Sequence, residues 1–547
     1  MSHHAAANLE PVTVTGGHIQ GVPGKYDEKI TCYLGVPYAA PPLGANRFAL
    51  PKPVEPWTGV KVCDTLSNAS PQRKAPSGWF DSMAGIKQSE DCLYLNIWVP
   101  ERKAGDTTKF PVYLWMHGGA FRAGGASDPN YDGTGLARKD VIVVTVNFRL
   151  GVFGWLATPE LTKELGVPSG NQGYYDCIQA LQWIQDNIDV LGGDKDRVTI
   201  GGQSSGSAMT GVLLYSPLTK GLFHRAIFQS GARYPRDPQM ACLAPSYRTS
   251  EQAEREGQEL LDSIGIKSLA ELREYEDIDK LINLGMGWDH TVWGPPPLLR
   301  SVLDGYLFPK GYETTLLSGP PNDVPILTGQ NHDESGVYTH KEFNMDDLKE
   351  CAAERYGSFV DRFHELYPAP NETPGDGPLA AWNAASRDNS RVNPSMYAQQ
   401  WATHCKSPVF VYYLTAAPPW YKSMPVNHNL PKSKGYTFFK GPVFGAFHGA
   451  DYSYAFNSLD PDTDRDWTDF DREVGDKKSQ LWANFIKYGD PNGIHSGERP
   501  EGCGEWYNAV EKPEYVYQVG NHFRSEERTS PEKVQFWQDF LSAQKPW

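Results

Sequence analysis

The sequence predicts an α/β fold: one large, predominantly parallel sheet covered by helices on both faces. Residues 110–116 (Phe-Pro-Val-Tyr-Leu-Trp-Met) and 141–147 (Val-Ile-Val-Val-Thr-Val-Asn) are near-continuous apolar runs of strand length. Such runs mark interior strands buried on both faces. Residues 173–188 place Cys177, Leu181, Ile184 and Ile188 at helical spacing, which supplies a crossover helix into the next strand. Residues 197–214 then read strand, sharp turn, helix: Val198, Thr199 and Ile200 run into glycines, and Ala208, Met209, Val212 and Leu213 follow in a helical pattern. At that turn Gly202-Gln203-Ser204-Ser205-Gly206 is a Gly-x-Ser-x-Gly nucleophile elbow in the setting that gives the motif meaning. Its glycines have a mechanical reason, because strand and helix come so close that a Cβ at either position would meet backbone. Ser204 is left at the apex.

Taken in order, residues 1–30 carry no strong signal, and residues 35–57 are so dense in Gly and Pro that they read as an extended, surface-hugging segment. Leu93, Leu95, Ile97 and Val99 alternate as in a strand buried on at least one face. His117-Gly-Gly-Ala-Phe-Arg-Ala-Gly-Gly125 follows a buried strand directly. It lacks the endings of phosphate- and dinucleotide-binding loops, whereas uncovered N–H groups at Gly118 and Gly119 suit an oxyanion hole. Residues 226–231 and 324–329 read as further strands, with a charged helical excursion over about 237–294 walling the cleft between them. Residues 345–405 are helical with a loop near 369–377, residues 409–414 form another buried strand, and residues 478–487 form a helix with Leu481, Trp482 and Phe485 on one side. Without an internal repeat or a linker, the 547 residues read as a single domain.

Composition excludes several classes. A formal charge of -15 with no concentrated Lys/Arg run opposes a nucleic-acid partner. No window resembles a membrane span, and the first eleven residues have neither the basic start nor the apolar core of a secretory signal. Eight cysteines at 32, 63, 92, 177, 242, 351, 405 and 503 are too scattered for a disulfide scaffold, and no Cys-x-x-Cys or His-x-x-x-His pair offers metal-ligand spacing. Reduced thiols and no metal are the expectation. Aromatic residues at 12% are enough to line a deep apolar cleft as well as the core.

A serine hydroxyl is a poor nucleophile at neutral pH, so Ser204 requires a histidine to take its proton and a carboxylate to orient that histidine. In α/β-hydrolase chain order the acid comes next and the histidine last. Asp333 and Glu334, at the carboxyl end of the 324–329 strand, are equally eligible. Of the later histidines 340, 364, 404, 428, 448, 495 and 522, two (364 and 404) sit in helical patterns, and His448 stands out in the glycine-flanked loop Gly445-Ala-Phe-His-Gly-Ala-Asp451.

From about residue 11 to 543 the chain resembles the type B carboxylesterases, the family of cholinesterases, p-nitrobenzyl-type bacterial esterases and fungal lipases. The resemblance rests on Gly35-Val-Pro-Tyr-Ala-x-Pro-Pro-Leu-Gly44, Ser89-Glu-Asp-Cys-Leu-Tyr-Leu-Asn96, His117-Gly-Gly-Ala-Phe121, Asn147-Phe-Arg-Leu-Gly151, Gly202-Gln-Ser-Ser-Gly206, Phe228-Gln-Ser-Gly231, Asp333-Glu-Ser335 and Phe447-His-Gly-Ala-Asp451. It implies an α/β-hydrolase fold, Ser204 as nucleophile, Glu334 as acid, His448 as base, and oxyanion donors at the backbone of Gly118, Gly119 and Ser205. It also implies structural ion pairs between Arg47 and Glu90 and between Arg149 and Asp176.

The departures carry information. Gln203 stands where family members usually carry an acid, and Ser205 where they carry Ala. Secreted relatives often bridge the cysteine at position 92 to one just before a Pro-Gln, but Ser70 precedes Pro71-Gln72 here, which favours the cytoplasm. The function implied is hydrolysis of a small-molecule carboxylic ester through an acyl-enzyme, by a monomer or homodimer with no cofactor. Acyl transfer, lactone or amide cleavage with the same triad, and an inactive scaffold or adhesion relative, are the alternatives. Gln203 and Arg122 make the neighbourhood of Ser204 less hostile to anions, so esters bearing a carboxylate are a candidate substrate class. The rival is that Arg122 turns away into an ion pair.

Overall fold

The computed structural model describes residues 9–546 apart from 74–85, 103–104, 232–233, 239–245, 290–295, 335–342, 375, 423–444 and 496. Cys242, His340, His428, Ser335 and most of the Pro/Gly-rich stretch before His448 lie outside the described residues.

Among the described residues the main sheet has eleven strands. In chain order they are β1 (Val22–Pro23), β2 (Thr31–Pro37), β3 (Tyr94–Val99), β4 (Phe110–Met116), β5 (Ile142–Val146), β6 (Gly193–Gln203), β7 (Arg225–Gln229), β8 (Ile326–Asn331), β9 (Val409–Leu414), β10 (Tyr515–Val519) and β11 (Arg524–Glu527). Their spatial order is β11-β10-β9-β8-β7-β6-β4-β5-β3-β2-β1. The block from β5 to β10 is parallel throughout, and antiparallel strands close both ends. The parallel centre places every strand–loop junction that matters on one edge, where ligand crevices of open α/β sheets form.

Both faces are covered, and β4 shows why its sequence is apolar throughout. Val112, Leu114 and Met116 pack into one core with residues of helices α1 (Gln172–Asn187) and α2 (Ser205–Tyr215), among them Leu181, Ile184, Met209 and Leu213. The alternate residues Tyr113 and Trp115 enter the opposite core with Trp482 and Phe485. Those two belong to a helix that starts nine residues earlier than its sequence pattern predicts, at Asp469, with Thr468 and Asp471 forming a capping box. The excursion after β7 contains α3 (Ser250–Ser263), α4 (Leu269–Glu274) and α5 (Ile278–Asn283), and the excursion after β8 ends in α6 (Gly377–Trp401).

The segment expected to hug the surface is instead buried in its middle: Tyr38 is 0%, Phe48 1% and Arg47 5% exposed. Arg47 explains it. It grips Glu90 through two bonds of 2.6 and 2.8 Å and donates to the carbonyls of Leu272, Arg273 and Tyr275 at the end of α4, so the excursion folds over it. His364 lies in a helix as expected, whereas His404 is exposed in the turn that follows α6. The short pair Val12–Val14 and Gly17–Gln20, where no signal was read, forms a small separate sheet with Val60–Val62.

Arg149 Nη2 and Nε reach Asp176 Oδ1 and Oδ2 at 2.6 and 2.9 Å, and both side chains are buried. Cys92 is fully buried as a free thiol beside Ser70. Because a buried guanidinium cannot shed its proton, removing its only carboxylate contact among the described residues leaves an uncompensated charge. Asp176→Asn should therefore lower unfolding free energy in urea by about 3–5 kcal/mol, whereas Cys92→Ser, next to a hydroxyl, should cost far less. Equal losses for the two would contradict this account.

Candidate active site

Backbone packing builds the elbow. Ser204 follows β6 and precedes α2 with φ 58°, a left-handed conformation uncommon for a residue with a side chain. The turn is that sharp because α2 lies against the end of β4. A Cβ on Gly206 would stand 2.0 Å from the Met116 carbonyl oxygen, and one on Gly202 would meet the Gly206 carbonyl at 2.4 Å. Ser204 N–H donates to the Gln229 carbonyl at 3.0 Å, which ties the apex to β7. Ser205 begins α2, so its N–H belongs to the unpaired first turn of the helix and sits at the positive end of its dipole.

The loop after β4 faces this turn. A Cβ on Gly118 would fall 3.1 Å from Ser204 Cβ, and Gly119 has φ 123°, so neither position tolerates a side chain. Among the described residues the N–H groups of Gly118, Gly119 and Ser205 have no acceptor within the protein. His117 orients the peptide between the glycines. Its Nδ1 stands 2.8 Å from the Gly118 carbonyl oxygen, and in a trans peptide that turns the Gly119 N–H the opposite way. The His117 ring is buried and stacked on Phe148 with centroids 4.4 Å apart, and burial pushes its pKa down to about 4.

The acid that reaches the histidine is Glu334. Its Oε2 lies 2.6 Å from His448 Nδ1, and its Oε1 accepts from the Asn331 N–H at 3.0 Å and from the Ser230 hydroxyl. Burial would raise this carboxyl, but His448, Ser230 and Asn331 together hold it below the ordinary carboxylate range. Asp333, the other candidate, does a different job. It accepts from the Ala446 N–H at 2.9 Å and from Arg387 at 2.7 Å, while its own N–H donates to the Ala446 carbonyl. Asp333 thus docks the loop that carries His448. Behind that loop Asp451 accepts from Gln229 at 2.6 Å and Tyr412 at 2.7 Å, and its carbonyl accepts from the buried Lys478 at 2.8 Å.

Gln203 contacts His448 directly: its Nε2 is 3.1 Å from His448 Nε2. With Nδ1 protonated toward Glu334, Nε2 carries the lone pair, and the Gln203 amide donates to it. Ser204 Oγ has no hydrogen bond among the described residues. Arg122 forms no ion pair among the described residues. Its Nη1 donates to the Met286 carbonyl at 2.9 Å and its guanidinium lies 4.0 Å above the Trp288 ring. Ser230, which supports Glu334, received no role from the sequence, although Phe228-Gln-Ser-Gly231 is part of the pattern.

The family model described as "Carboxylesterase family" matches residues 9–537. The chain belongs to that family. Similar relatives include a fumonisin B1 esterase of Sphingopyxis macrogoltabida, 33% identical over 74% of this chain and 70% of its own length, and a liver carboxylesterase 1F of Rattus norvegicus, 29% identical over 95% and 91%. A solved PNB esterase superposes with a TM-score of 0.73 at 26% identity, covering 96% of this chain and 99% of its own. This carboxylesterase therefore has the α/β-hydrolase fold, and no helix among its described residues is long and apolar enough to cross a membrane.

In this carboxylesterase the buried His117 makes stability depend on pH. Below the unfolded value of about 6.5, the unfolded chain binds a proton that the folded imidazole refuses until about pH 4. The stability it contributes is therefore present above about 6.5 and lost as pH falls toward about 4, on the order of 3 kcal/mol. Urea titrations across that range should show the fall, and His117→Gln should flatten it; an unchanged slope in the variant would contradict the assignment.

Proposed function

We propose that this chain is a serine carboxylic-ester hydrolase acting through Ser204, His448 and Glu334 with an acyl-enzyme intermediate. The observation that carries the reading is the 2.6 Å contact between Glu334 Oε2 and His448 Nδ1, next to a Ser204 held at φ 58° on a strand–helix elbow. Glu334 fixes the tautomer in which Nε2 carries the lone pair and can act as a base. In the reaction Ser204 Oγ displaces Gln203 from that lone pair, gives its proton to Nε2 and bonds to the ester carbonyl carbon. The oxygen becomes an oxyanion facing the N–H groups of Gly118, Gly119 and Ser205. Collapse breaks the bond to the alkoxy group, which leaves with the proton from His448. Water then adds in the same way, its proton passing through His448 to Ser204, and the carboxylic acid is released.

The reading takes the chain as one domain working as a monomer or homodimer on a small-molecule ester, in the cytoplasm. The Ser70 neighbour of Cys92 supports that location, since it stands where secreted relatives carry the second cysteine.

Ser204→Ala should abolish hydrolysis of p-nitrophenyl esters of every acyl length. Glu334→Gln should lower kcat by a factor on the order of 10²–10⁴, since the imidazole loses its charge partner. A fluorophosphonate label should appear on the peptide carrying Ser204, and a label on any other residue would sink the assignment.

A further inference from the structure

Arg122 leaves the oxyanion loop on the side opposite its anchor. The turn is closed by bonds of 3.1 and 3.0 Å from the N–H groups of Arg122 and Ala123 to the Gly119 carbonyl. Phe121 points inward, its ring against Trp155 and its carbonyl accepting from the Trp155 indole at 2.9 Å. Arg122 is half-buried and lies against the segment following α5 through Met286 and Trp288. The Trp288 ring beneath it is 40% exposed. Stacking fixes the plane of the guanidinium, and among the described residues its one hydrogen-bond acceptor is the Met286 carbonyl, so the planar fork is preorganised.

A second guanidinium is held beside it. Gln72 clamps the same loop, its side chain donating to the Gly124 carbonyl at 2.7 Å and accepting from the Gly124 N–H at 2.8 Å. Arg73 is the next residue, and its Nε donates to Asn283 Oδ1 at 2.5 Å. The two arginines are close enough for Arg73, after burial, to depress the Arg122 pKa. Both rest on neutral partners, and among the described residues no carboxylate pairs with either. The chain carries 66 acidic against 51 basic residues, so this is not for want of acids. Two like charges kept together without a counter-charge, at the lip of the loop that holds the reacting carbonyl, form a site that an anion would relax.

We propose that Arg122 and Arg73 form a carboxylate-binding subsite, and that the preferred substrates are esters whose acyl or alcohol part bears a carboxylate. The proposal names the substrate class of the site read above as an ester hydrolase, and it rests on that reading. The carboxylate occupies the free side of the Arg122 fork with Arg73 as the second cation, while the ester carbonyl reaches Gly118 and Gly119 on the same loop.

The test compares kcat/KM for charged and neutral esters of nearly equal length by acid release in a pH-stat. Monoethyl adipate against ethyl heptanoate reads the acyl side; 4-butyryloxybutanoate against pentyl butyrate reads the alcohol side. Because the neutral partner shares every step at Ser204, the charged-to-neutral ratio reports the subsite alone. In Arg122→Gln that ratio should fall by about tenfold or more on the side the site recognises, the scale of a charged hydrogen bond. Arg73→Gln, at an exposed side chain outside the loop, should lower it by a smaller factor. Raising ionic strength should shrink the wild-type ratio toward that of the variants. Calorimetric binding of adipate dianion needs no turnover and should weaken at least about fivefold in Arg122→Gln, which separates failure of the subsite from failure of the hydrolase reading. Ratios within twofold of wild type on both sides, or equal loss for charged and neutral esters, would make Arg122 a brace for the loop and overturn the proposal.

Discussion

The whole site depends on how closely α2 approaches the end of β4. With the Met116 carbonyl 2.0 Å from where a Gly206 Cβ would be, and the Gly206 carbonyl 2.4 Å from where a Gly202 Cβ would be, the chain has no room for a side chain at either end of the turn. That contact forces Ser204 into its left-handed conformation and aims the first N–H groups of α2 at the loop after β4. A looser junction would relax Ser204 into ordinary helix and separate it from Gly118. The strain, of the order of 1–3 kcal/mol for such a residue, is held in place by a core whose central strand is buried on both faces.

Around that junction the remaining groups are fixed by partners that never touch a substrate. Asp333 and Asn331 dock the histidine loop from the end of β8, with Asn331 donating to the Phe447 carbonyl at 2.8 Å. Asp451 anchors its other end to Gln229 and Tyr412. Lys478, 0% exposed, completes this anchor, and burial pushes its pKa down to about 8 in spite of Asp451. His448 thus sits between two clamps, and the Glu334 carboxylate that faces it is braced by Ser230 and Asn331. Such support is what keeps a catalytic imidazole in one rotamer and one tautomer.

Much of this was legible in the sequence, and the gaps have physical causes. The interior strands β4, β5, β7, β8 and β9 announce themselves because both faces are apolar. The outer strands do not: β11 reads Arg-Ser-Glu-Glu, the polar sequence of an edge, and β1 has two residues. Position 334 could not be told from 333 by chemistry, since adjacent carboxylates at a strand end are equivalent until a second loop docks. The Ala446 N–H and Arg387 claim Asp333 and leave Glu334 to turn inward. Ser230 went unassigned because its role is to hold Glu334, a residue about a hundred positions away, and nothing local signals that. The burial of Arg47 was hidden for the same reason, since the helix that covers it lies far along the chain.

The charges near the elbow follow a different logic from those of the molecule as a whole. An acidic surface slows the approach of anions at low salt, yet the position before Ser204 is a neutral amide, and Arg122 on the loop after β4 pairs with no carboxylate among the described residues. Gln203 is informative here. A carboxylate in its place would sit against His448 Nε2 and favour the protonated imidazole, which cannot accept from Ser204. The amide instead places an N–H donor against His448 Nε2. An amide at 203 adds no second negative charge beside His448, whose Nδ1 already faces the Glu334 carboxylate, and so adds no repulsion toward an anionic substrate. The neutral Gln203 and the Arg122 guanidinium, which has no carboxylate partner among the described residues, act in the same direction: neither adds negative charge against an anion.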